Sequence, residues 1–73
     1  MKGSKYDGKP FEVVWTGSGE EKRLLIDGVD LNSCIELGRK NAKQNTFGIY
    51  LRNPYPQDRG KLIYKTKEYN EIQ

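Results

Sequence analysis

The chain has 73 residues, thirteen basic against ten acidic side chains for a net charge of +3, one cysteine and no histidine. That excludes an intrachain disulfide, an ordinary zinc site and histidine-based acid–base chemistry, and it allows a polyanionic partner without requiring one. A single domain of this size buries only about 60–65% of its unfolded surface, so oligomerisation is expected to support the core.

The first stretch, residues 1–10, is polar, with two glycines and three lysines, and is expected to be a flexible lead-in. It lacks the apolar core of a signal peptide, and no apolar run approaches the ~18 residues of a membrane span. With the lone thiol arguing against an oxidising compartment, a cytoplasmic protein is expected.

Residues 11–16 alternate as a strand, with Phe11, Val13 and Trp15 on one face and Glu12, Val14 and Thr16 on the other. Gly17-Ser18-Gly19-Glu20-Glu21 is a turn signal. Residues 22–27 return as a second strand, with Leu24 and Ile26 opposed to Arg23, Leu25 and Asp27. Gly17-Ser18-Gly19 lacks the later glycine and lysine of a phosphate loop and leads into no helix.

The spacing of Leu31, Cys34, Ile35 and Ala42 predicts an amphipathic helix over residues 30–45. It has two overlapping start signals, Asp30 as a cap and Ser33–Glu36 as a capping box. Cys34, Gly38 and Ala42 form a row of small side chains that lets the helix lie close to a sheet. Arg39, Lys40 and Lys43 gather toward the carbonyl end, with a Glu36–Lys40 pair on the solvent side.

Residues 46–52 form a third strand, with Phe47, Ile49 and Leu51 opposed to Gly48, Tyr50 and Arg52. A loop with two prolines, residues 53–60, presents Tyr55 and Arg59. Residues 61–67 form the fourth strand, where Leu62 and Ile63 compete for the inward side and leave the face of Tyr64 open. Residues 68–73 read as a polar tail.

The expected fold is α+β: one ββαββ domain over residues 11–67, a four-stranded sheet with one helix across one face. In element order alone this resembles the β-grasp arrangement. Phe11, Val13, Trp15, Leu24, Ile26, Phe47, Ile49 and Leu51 are expected to meet Leu31, Cys34, Ile35 and Ala42 in the core.

One helix covers one face, so the other is expected to carry Val14, Leu25, Tyr50 and Ile63 as an apolar interface for a second copy or a protein partner. Interleaved aromatic and cationic side chains suit nucleic acid, the rings stacking on bases and the cations holding phosphates. Tyr50, Arg52, Tyr55, Arg59, Lys61, Tyr64, Lys65 and Lys67 are the candidates. Cys34 has no histidine partner and falls on the buried helix face, so no catalytic residue, metal or cofactor is expected.

Three functions follow. The first is a non-enzymatic accessory protein that binds DNA or RNA. The second is an inhibitor or adaptor of the phage or mobile-element type that binds a host protein. The third is an oligomer that sequesters a nucleotide or phosphorylated metabolite.

Overall fold

The computed structural model describes residues 5–17, 19–42, 45–52 and 60–70. The elements run β1 (Phe11–Gly17), β2 (Glu20–Ile26), α1 (Leu31–Asn41), β3 (Gly48–Leu51) and β4 (Leu62–Lys65). They form a four-stranded sheet in the order β2-β1-β3-β4, with every neighbouring pair antiparallel. The ββαββ order is that of a β-grasp, but β1 is joined here to the third strand, antiparallel, across the middle of the sheet.

The helix begins at Asp30, not at the Ser33 capping box. The Asp30 carboxylate accepts the Ser33 N–H at 2.9 Å, filling one of the orphan donors of the first turn. Glu36 therefore lies past the first turn, and it pairs with Arg39 at 4.0 Å instead of the expected Lys40. The helix stops at Asn41, where the Ala42 backbone turns extended while its N–H still bonds to Gly38 O at 2.8 Å. Asn45 then takes a left-handed conformation, φ 58°, on the way to β3. That conformation is tolerated best by glycine and asparagine. Lys43 lies outside the described residues.

The lead-in is not loose over residues 5–10. Gly8 donates to Val29 O at 2.9 Å with φ 79°, and the Asp7 carboxylate accepts the Leu31 N–H at 2.9 Å. A second carboxylate thus serves the helix start, contributed from 24 positions upstream, while Tyr6 packs on the core. Local sequence gives no sign of either contact, because both partners lie across the β1–β2 hairpin.

Between α1 and the sheet, Phe11, Val13, Cys34, Ala42, Phe47 and Ile49 are buried, with Trp15, Leu24, Ile26, Leu31, Ile35 and Leu51 packed around them. These are the twelve residues that the periodicities predict. Full burial of a side chain such as Phe47 or Ile49 is worth about 1.5–3 kcal/mol. At Gly38 the helix approaches Phe47 closely: a Cβ there would lie against the Phe47 ring, 2.7 Å from Cζ.

The fourth strand contains an irregularity that settles its facing. Ile49 pairs with Tyr64, but Tyr50 pairs with Leu62, so Ile63 is an extra residue in a β-bulge. Such a bulge can send two successive side chains to one side. Ile63 and Tyr64 both pack toward the helix-side core, and Leu62 turns to the opposite face. Ile63 is accordingly not an outer-face interface residue.

Candidate functional site

The sheet face away from the helix is closed over its centre by the chain itself. After β4, Tyr69 N–H bonds to Thr66 O at 3.2 Å in a turn that brings Tyr69 back across β3. The turn is anchored by Thr66, whose hydroxyl accepts the Phe47 N–H at 3.0 Å and donates to Phe47 O at 3.3 Å. The Tyr69 ring then lies where a side chain on Gly48 would be: a Cβ at that glycine would stand 2.6 Å from Tyr69 Cε2. The two phenol oxygens of Tyr50 and Tyr69 meet at 2.9 Å.

Val14, Tyr50 and Tyr69 thereby form a second small core with Leu62 packed against it, and Tyr50 is only 2% exposed. Tyr50 and Val14 are interior residues, not the open interface or stacking platform expected of them. The missed residue is Tyr69, which the polar composition of residues 68–73 hides. Its one signal in the sequence is Gly48, an isolated glycine inside a strand, which marks close approach by another group.

Glu12 is buried beside this cluster, and Arg23 Nη1 reaches its Oε2 at 3.6 Å from the exposed side of β2. A carboxylate in that position needs hydrogen-bonding or charged partners to remain in the fold. No buried side-chain nitrogen or oxygen among the described residues lacks one.

The candidate ligand residues are therefore divided among different surroundings. Tyr64 stacks on Phe47 on the helix side, ring centroids 5.9 Å apart and planes at 28°. Tyr50 is inside the opposite face. Arg52 is half-buried, with its N–H on Pro10 O at 2.9 Å. Tyr55 and Arg59, on which the nucleotide-sequestering alternative depends, lie outside the described residues. Lys61, Lys65 and Lys67 are exposed and follow one another along β4 and its flanks, at one edge of the sheet. Leu25, on β2 at the opposite edge, is 45% exposed, the large apolar side chain that the described fold leaves open.

Cys34 is buried against the sheet, and its thiol pKa is pushed up to about 11 by that burial, with the Asp30 and Asp7 carboxylates adding to the effect. It is the opposite of an activated nucleophile. Among the described residues no group of three or more metal-ligating side chains converges, and no helix is long and apolar enough to cross a membrane. Comparison with protein-family models, with curated proteins and with solved structures finds no match to this chain.

Proposed function

We propose that this protein is a non-enzymatic binder of polyanions, nucleic acid foremost, which holds phosphates along its β4 edge and does not stack bases on its sheet. The supporting observation is the segregation of charge. Lys61, Lys65 and Lys67 are all exposed along β4, whereas β2 at the far edge mixes Glu20 and Glu21 with Lys22 and Arg23. A row of flexible ammonium groups along one edge of a sheet suits contacts to a phosphate backbone, which position a protein without reading sequence. Tyr50 is buried, and the partly buried Tyr64 already stacks on Phe47, so this reading assigns base stacking to neither.

The test is an anisotropy titration with short mixed-sequence duplex DNA and RNA at several salt concentrations. Three phosphate contacts predict a log–log salt slope of about −2.7 for duplex DNA, a loss of roughly 40-fold between 50 and 200 mM salt. Each of Lys61→Gln, Lys65→Gln and Lys67→Gln should make the slope shallower by about 0.9. Binding that is indifferent to salt, or a triple variant with an unchanged slope, refutes the reading.

A further inference from the structure

The two edges of the sheet are not alike. β4 has four residues, contains a bulge and is lined by lysines, which are devices that discourage strand addition. β2 is seven residues long and pairs with β1 without interruption from Glu20 to Ile26. It has neither proline nor bulge, and its open side bears the exposed Leu25.

The hydrogen-bond phase of β2 follows from its neighbours. Arg52 N–H bonds to Pro10 O, which extends the β1–β3 register of Glu12 with Tyr50, so the even-numbered residues of β1 bond toward β3. Antiparallel ladders alternate, so the odd-numbered residues, Phe11, Val13 and Trp15, bond toward β2. Their partners there are Ile26, Leu24 and Lys22. The amide and carbonyl groups of Arg23 and Leu25 consequently point out of the sheet, away from β1, and among the described residues no strand lies on that side.

We infer that this edge pairs with the β2 edge of a second copy, antiparallel about a twofold axis at Leu25, making one continuous eight-stranded sheet. A twofold perpendicular to the sheet keeps both helices on the same face, so paired residues must share a face. Centred on Leu25, the register sets Leu25 against its own copy and Leu24 against Ile26 of the second copy, giving apolar contact on both faces. It also sets Arg23 opposite Asp27 of the second copy, a cross-strand pair of opposite charge.

Slipping by one step while keeping the faces aligned puts Glu21 opposite Asp27. A further step opposes Arg23 to its own copy, and a third opposes Lys22 to itself and sets Leu25 against the turn at Gly19. The Leu25-centred register alone among these combines an apolar centre with opposite charges. This inference does not rest on the polyanion reading, since the lysine edge lies at the other end of each sheet. The dimer carries both lysine edges outward, at its two ends.

The test uses the full chain, by light scattering across a concentration series and by disulfide trapping in a glutathione redox buffer. Wild type should reach twice the chain mass, and Leu25→Lys, which places like charges on the twofold, should remain a monomer with an unchanged circular dichroism spectrum. Leu25→Cys should form a disulfide-linked dimer at least tenfold faster than Glu21→Cys, whose partner in this register is Val29. Buried Cys34 does not compete. A wild-type monomer at every concentration, or trapping that favours Glu21→Cys, overturns the inference. So does a monomer that takes up an unrelated strand-forming peptide at β2, which would assign the edge to a foreign partner.

Discussion

Replacing Gly38 by alanine tests the layer spacing on which the fold depends, because two effects of known size oppose each other. In a solvent-facing helix position, glycine to alanine stabilises by about 1 kcal/mol through backbone entropy. Gly38 is buried, and a Cβ there meets Cδ2, Cε2 and Cζ of Phe47, the last at 2.7 Å. Phe47 is 0% exposed and stacked on Tyr64, so its ring has little room to retreat without moving the helix off Phe11, Val13 and Ile49.

Overpacking of this kind costs typically about 1–3 kcal/mol. With three atoms of an enclosed ring affected, the upper end applies. The net expectation is a loss of about 2 kcal/mol, or roughly 8–16 °C in Tm for a domain this small. Urea denaturation followed by circular dichroism measures it, and the denaturant dependence should keep its slope. In a Phe47→Leu background the same substitution should become neutral or stabilising, a coupling of at least about 2 kcal/mol. Stabilisation of the otherwise wild-type chain by Gly38→Ala refutes the close-packing argument.

The outer cluster offers a second check. Tyr69→Phe removes one hydroxyl pair and should cost about 0.5–1.5 kcal/mol. Tyr69→Ala uncovers Val14 and Tyr50 and should cost about 3 kcal/mol or more, with new binding of an apolar dye. Equal stability of Tyr69→Ala and wild type in urea means that the return of the chain across β3 holds nothing in place.

Acid should act through the helix cap. The Ser33 side chain and then its N–H hold the Asp30 carboxyl below its usual value of 3.8. A group with a lowered folded-state pKa contributes stability that is complete above its unfolded value and is lost as pH falls through the folded one. Asp30→Asn, which retains a capping oxygen, should therefore flatten the stability profile below about pH 4 and leave it unchanged near neutrality. Parallel profiles across that window count against the cap.

Much of the fold is legible in the chain, because strand and helix periods are local properties. Phe11, Val13 and Trp15 share a face whatever lies above them, and Leu31, Cys34, Ile35 and Ala42 share another by the geometry of the helix alone. That suffices for the four strands, the helix and the residues between the layers. The same reasoning assigns Tyr50 to the second face, and the structure agrees.

Alternation says which side chains share a face, but not what covers them. Tyr69 closes the second face from 21 residues beyond Gly48, and a single added residue turns Ile63 to the helix side instead of the outer face expected of it. The pairing of β1 with β3, and with it the open edge at β2, depends on closing a loop across the helix. Periodicity along one strand carries no information about a partner so distant in the chain. Composition and local spacing thus determined the elements and the principal core, while tertiary packing decided what covers Tyr50 and which described strands stand at the edges of the sheet.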